Sequence, residues 1–199
     1  MKKIKKLIGV VIILVFVFGY AHIAKMNIIY DKNVDNSEYL EMGDLNGKKV
    51  EQRFVCKEDT LDGVYAKCQT LGEVLDTKVN YTITDEQEEK VVAQGSLSAD
   101  GIKNAKFNKF TFETIENCRG KELVLTIWSE ASMEGNGATF YFQPETEEGT
   151  QLVIGGNETQ GTMIMKTITN RFDLETFCVL LLFIGFIVGF MKILYKLFK

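Results

Sequence analysis

Histidine, proline and tryptophan each occur only once in the 199 residues. The single His22 lies in an apolar run, so no Ser–His or Cys–His pair is available elsewhere. Nucleophilic catalysis needs a base beside its Ser or Cys, and that class is disfavoured. The sequence has no C-x-x-C, H-E-x-x-H or Cys/His cluster, which leaves zinc and thioredoxin-like chemistry unsupported. It also lacks G-x-S-x-G, a Walker A loop and G-x-G-x-x-G. No carboxylate spacing marks the paired acids of a glycosidase. The loop Lys57–Gly63 offers Glu58, Asp59 and Asp62, but not at EF-hand spacing, and reads as a solvated turn. The expectation is a protein that is not an enzyme, with no cofactor and no metal.

Basic character is scarce in the middle of the chain. Of the 23 Lys+Arg and 27 Asp+Glu, residues 27–171 hold 15 and 25, a net charge of −10. Nucleic-acid binding needs a basic footprint, so no nucleic acid is expected as a partner. The lysines gather instead at the two ends, each beside an apolar run. Leu7–Ala24 is uncharged and follows Lys2, Lys3, Lys5 and Lys6. Phe177–Met191 is the second run, extended past Lys192 and followed by Lys196 and Lys199. About 20 apolar residues cross a bilayer core as a helix, and positive flanks stay on the cytoplasmic side.

Two transmembrane helices at 7–26 and 174–196 are therefore expected, with cytoplasmic tails at 1–6 and 197–199. The competing reading of the first run is a signal peptide with Gly19-Tyr20-Ala21 as its cleavage site. Either way the central region is extracytoplasmic, in a protein of the cell membrane. Gly185 and Gly189 form a G-x-x-x-G spacing, a close-packing motif for membrane helices.

Residues 27–48 are polar and irregular, and read as a linker. From 49 to 171 the pattern turns to period two. Runs rich in β-branched and aromatic residues occupy Val50–Cys56, Gly63–Thr70, Lys78–Thr84, Val91–Leu97, Lys106–Ile115, Glu122–Ser129, Ala138–Gln143, Gln151–Ile154 and Met163–Thr169. Turn signals separate them, including Asn117–Gly120 and Gly135-Asn136-Gly137. One helical turn fits Thr70–Asp76. Nine short strands predict an antiparallel β-sandwich or barrel.

Alternation assigns Leu123, Leu125 and Ile127, then Ala138, Phe140 and Phe142, then Val64, Ala66 and Cys68, to the core. The opposite rows carry Trp128, Tyr141 and Tyr65. These three aromatics are the candidate ligand platform, since sugar rings stack C–H faces on aromatics. Four cysteines are present. Cys178 lies in the second apolar run, and Cys56 and Cys68, on consecutive strands, are the candidate disulfide.

The motif order is QRF at Gln52–Phe54, LDGV at Leu61–Val64, YTITDEQEEKVV, FNKFTFETIENCRGKELVLTI and GNGATFYF. It resembles an extracytoplasmic jelly-roll-like β-sandwich domain of bacterial membrane proteins of cell-surface glycan synthesis. There the domain is often attached to multi-spanning glycosyltransferase-like segments. The resemblance covers Val50 to Arg171. Glu113-Thr114-Ile115 stands where that pattern has a proline, Cys118 stands near its small polar turn residue, and no multi-spanning catalytic segment accompanies it here.

What the resemblance implies is a non-catalytic accessory or binding module in surface-glycan or envelope assembly. Its expected partners are the membrane lipid bilayer and a cell-surface glycan or a multi-spanning glycosyltransferase-like protein. The alternatives are an interaction subunit of a membrane complex that binds protein rather than glycan, and a sensor that needs a partner for its output.

Overall fold

A computed structural model describes residues 2–131 and 135–198. The chain forms two compact units, one of residues 26–169 and one of 1–25 with 170–199.

Among the described residues, thirteen strands run in chain order: β1 His22–Ile28, β2 Leu40–Glu41, β3 Lys49–Val55, β4 Thr60–Leu71, β5 Lys78–Asp85, β6 Lys90–Ser98 and β7 Lys106–Glu116. They continue as β8 Glu122–Glu130, β9 Gly137–Gln143, β10 Gln151–Ile154, β11 Asn157–Thr159, β12 Thr162–Met163 and β13 Met165–Phe172. The nine expected runs are strands within a few residues of their expected limits, the last one divided between β12 and β13. Thr70 and Leu71 close β4 rather than opening a helical turn, because they pair with Ala138 and Gly137 on β9.

The strands form two antiparallel sheets. One has six strands in the order β11-β10-β3-β8-β5-β6. The other follows β1-β13-β4-β9-β12, with β7 on the free side of β4 and β2 on β9. Their facing sides share one hydrophobic cluster, in which Phe54, Phe110, Phe140, Leu123, Leu125 and Ile127 are fully buried. This is the arrangement of a β-sandwich. The alternation in Glu122–Glu130 is realised residue by residue, Leu123, Leu125, Ile127 and Ser129 pointing inward.

Polar side chains tie the two sheets together. Gln52 on β3 is fully buried; its Nε2 donates to the carbonyls of Arg53 (2.8 Å) and Gln151 (3.1 Å), and its Oε1 accepts the Met163 N–H at 2.7 Å. Tyr81 on β5 sends its hydroxyl to the Thr111 carbonyl on β7 at 2.7 Å. Bonding of this kind offsets the cost of burying polar groups.

Residues 27–48 are not a free linker. Leu40 and Glu41 pair with Phe142 and Tyr141. Leu45 is fully buried, and Ile29 is nearly so. The Asp31 N–H donates to Gln143 Oε1 at 3.0 Å. This segment covers the outward side of β9, so Thr139 and Gln143 on the expected solvent row are fully buried. A polar, aperiodic sequence carries no signal for this, because its two-residue strand is too short to show a period.

In the second unit, helix α1 spans Lys2–Tyr20 and α2 spans Leu174–Leu197. Among the described residues, only α2 is long and apolar enough to cross a membrane. Its 24 residues reach about 36 Å at about 1.5 Å each, against a bilayer core of about 30 Å. The expected first span over 7–26 is corrected: the apolar part of α1 is Ile8–Tyr20, about 20 Å long, and the chain is already strand from His22. Residues 22–24 are apolar enough to continue a helix, but they belong to β1, which pairs with β13 instead. The Asp173 N–H donates to the Ala21 carbonyl at 2.8 Å, and Phe18, His22, Phe172 and Phe177 form a chain of ring contacts, at centroid distances from 4.6 to 5.3 Å. Asp173 caps α2 by accepting from the N–H groups of Glu175 and Thr176.

Candidate functional site

The register of the six-stranded sheet builds one outward polar face. Trp128 on β8 lies opposite Lys49 on β3 and Asn80 on β5, and Asn80 lies opposite Ser96 on β6. The adjacent cross-strand row is Glu51, Thr126, Thr82 and Gln94. All eight side chains alternate away from the core, and cross-strand neighbours stand about 4.5–5.5 Å apart. Asn80, Thr82, Gln94, Ser96 and Trp128 border an open depression of about 380 Å³.

Trp128 is half-buried. Its indole N–H donates to Glu130 Oε1 at 3.0 Å, and the Lys49 ammonium stands 5.5 Å from the ring centroid. Two strand neighbours and a fixed indole hydrogen bond thus define where the ring lies. Amides and hydroxyls on three strands supply donors and acceptors beside it.

Tyr141 and Tyr65 do not join this face. They belong to β9 and β4 of the other sheet, so the three predicted aromatics form no single platform. The sequence gives each strand its two faces, but strand order decides which sheet a face belongs to. The Tyr141 hydroxyl donates to Gln69 Oε1 at 2.6 Å, beside Glu41. Burial, then the Glu41 charge, pushes the Tyr141 phenol above its usual range. The Lys67 ammonium sits between the Tyr39 and Tyr141 rings, 4.8 and 5.2 Å from their centroids. Tyr30 stacks on Phe107 at 6.1 Å and meets Tyr39 edge-on at 6.2 Å. This face is occupied by the protein's own residues 29–41.

The loop carboxylates also have partners. Asp59 receives a bidentate Arg119 guanidinium, both bonds at 2.9 Å, and Asp62 accepts the Thr114 hydroxyl at 2.6 Å. No group of three or more His, Cys, Asp or Glu side chains capable of holding a metal occurs among the described residues.

The candidate disulfide is corrected as well. Cys68 is fully buried beside Asn108, whose Nδ2 lies 3.2 Å from its sulfur. Cys56 lies against Cys118 instead, at a Sγ–Sγ distance of 3.1 Å. Cys68 sits well along β4, opposite Lys106 and Phe140, whereas Cys56 lies just past the end of β3, bonded to Gly120 and Lys121 of the turn that holds Cys118. Gly185 and Gly189 stand open on α2: a Cβ added at either meets nothing within 4 Å.

Sequence reasoning found Trp128 but missed Lys49, Glu51, Asn80, Thr82, Gln94 and Ser96. Their only signal is a polar residue on the outward row of a predicted strand, which most surface strands share.

No family model matches the chain, and no curated protein matches it. Among solved structures it is similar to a chain of the infectious bursal disease virus VP2 subviral particle. The identity is 10%, the TM-score 0.26, and the match covers 74% of this chain and 37% of that one. A likeness this distant carries no argument about function.

Proposed function

We propose that this protein is a membrane-tethered, extracytoplasmic binding module, jelly-roll-like in its strand arrangement, that holds a glycan of the cell surface or envelope without chemistry of its own. The observation that carries the reading is the Trp128 face: one half-buried indole flanked by two cross-strand rows of Asn, Ser, Thr, Gln and Glu. A polyhydroxylated ring needs one apolar surface for its C–H face and several fixed polar groups around its rim. The depression has the breadth for a short saccharide, and its openness suits a chain that runs on past it. The exposed Lys49 ammonium is flexible and hydrated, so a sugar ring displaces it from the indole at modest cost.

α2 supplies the anchor and carries the C-terminal end to the cytoplasmic side, and α1 is a second, membrane-associated helix that does not cross. Lys192, Lys196 and Lys199 at the far end of α2 support that orientation.

The test is titration of the full chain in nanodiscs with cell-wall polysaccharide fragments, followed by the fluorescence of Trp128, the sole Trp. Binding predicts a saturable change, weakened at least tenfold in Trp128→Ala and in Asn80→Ala. An unresponsive Trp128 across a glycan panel sinks the reading.

The alternative is an interaction subunit of a membrane complex. The bare Gly185/Gly189 face favours it, since close approach of a second helix meets no side chain there. Crosslinking from a cysteine at 186 to a co-purifying membrane protein, lost in Gly185→Leu, would select it.

A further inference from the structure

Cys56 and Cys118 lie in two connectors that each pass from one sheet to the other. Cys56 follows β3 of the six-stranded sheet, and Cys118 lies in the turn between β7 and β8, where the chain passes from one sheet to the other. Their backbones are held together by hydrogen bonds: Cys56 N–H to the Lys121 carbonyl (3.0 Å), Gly120 N–H to the Cys56 carbonyl (2.8 Å) and Cys118 N–H to the Asp59 carbonyl (3.0 Å). Asn117 and Gly120, at φ 55° and 77°, give the turn its shape. The Arg119–Asp59 ion pair closes over it from outside. Both sulfurs lie 3.4 Å from the Glu58 carbonyl and 3.1 Å from each other, with residue exposures of 2% and 0%.

We propose that Cys56 and Cys118 form the protein's disulfide, a staple between the two connectors that join its sheets, and that Cys68 remains a thiol. The sulfurs need approach by only about 1 Å to reach a bond of about 2.05 Å. Cys68 has no such neighbour: its sulfur faces Asn108 on the adjacent strand.

The chemistry is thiol–disulfide exchange. One thiolate of the pair attacks the disulfide of an oxidant, a small-molecule or protein disulfide, and releases one oxidant thiol. The second thiolate then displaces the other oxidant sulfur. Two thiols become one S–S bond, and the oxidant's disulfide takes up the two electrons and two protons as two thiols.

Burial first, and then the touching Cys56 sulfur, push the Cys118 thiol up to about 12. In the folded chain this thiol is therefore an inert nucleophile, and exchange proceeds while the turn is open. Once closed, the bond is shielded from reductants. The pair is thus a folding staple rather than a switch in the folded state.

The purified full chain, opened by mild denaturant and refolded in a glutathione/glutathione disulfide buffer, tests this. The quenched protein is alkylated, digested without reduction and analysed by mass spectrometry. The expected result is a Cys56–Cys118 linked peptide with Cys68 alkylated, and a link that persists in Cys68→Ala. Wild type should also show a higher thermal midpoint oxidised than reduced, a difference absent in Cys118→Ala. Full alkylation of all four cysteines, or a link through Cys68, overturns the proposal. The wild-type digest decides the matter even if a variant fails to fold. Because the redox buffer is defined, the outcome is independent of the glycan reading and of the membrane topology.

Discussion

Gly95→Ala should destabilise the sandwich, although Ala is ordinarily favoured over Gly in a strand interior. Gly95 on β6 lies directly opposite Tyr81 on β5. The Tyr81 ring lies over the bare glycine, so a Cβ at Gly95 would stand 2.8 Å from Cε2 and closer still to Cζ and Oη. The ring is 3% exposed and fixed at both ends. Its hydroxyl donates to the Thr111 carbonyl, and its edge meets Phe110 at a centroid distance of 5.3 Å, nearly perpendicular.

Displacing the ring breaks that hydrogen bond, worth about 1–3 kcal/mol if the partner stays buried, and weakens an aromatic pair worth about 0.5–1.5 kcal/mol. Against these stands a gain of about 0.5–1 kcal/mol from restricting the unfolded backbone. The net is a loss centred on about 2 kcal/mol. With a urea dependence of about 2 kcal/mol per molar, the midpoint should fall by about 1 M. The assay is urea unfolding of the full chain in detergent, read by Trp128 fluorescence. A double-mutant cycle with Tyr81→Val should show strong coupling, Gly95→Ala being nearly neutral once the ring is gone. A neutral or stabilising Gly95→Ala in the wild type, or equal cost in both backgrounds, refutes the steric account.

Four further outcomes are expected. Phe110→Ala empties the centre of the core and should cost about 3–5 kcal/mol by the same unfolding assay. Gln52→Met leaves the buried Met163 N–H without its acceptor and should cost about 1–3 kcal/mol, whereas Gln151→Met, on the exposed side, should cost little. Asp85 is buried and bonded at 2.8 Å to Lys121; that bond, ahead of the Gln87 and Glu88 N–H groups, holds its carboxyl below the usual range, and Lys121 is correspondingly raised. Its contribution is therefore present above about pH 4, the unfolded value, and is lost as pH falls through the folded one; Asp85→Asn should flatten that acid limb in a stability–pH series. A chain beginning at Leu45 should lose β1, β2 and the cover over β9, exposing Thr139 and Gln143. It should bind a hydrophobic dye or aggregate where the full chain does not.

Period-two alternation determined the nine main strands, the inward rows of Leu123–Ile127 and Val64–Cys68, and the all-β class, because a sheet with one buried face writes its burial pattern into the chain. Composition determined that α2 is long and apolar enough for a membrane. Composition misplaced the end of the first apolar run, because His22–Ala24 is equally apolar as helix or strand and only the pairing with β13 decides between them. Tertiary structure alone decided which outward rows share a sheet. That is why Trp128 stands among Asn80, Thr82 and Gln94 while Tyr141 and Tyr65 belong to the other sheet, Tyr141 beside Glu41. It also decided that Cys56 meets Cys118 across 62 positions and not its sequence neighbour Cys68. Alternation is a property of one strand at a time, whereas strand order, register and sheet membership arise only when strands pair.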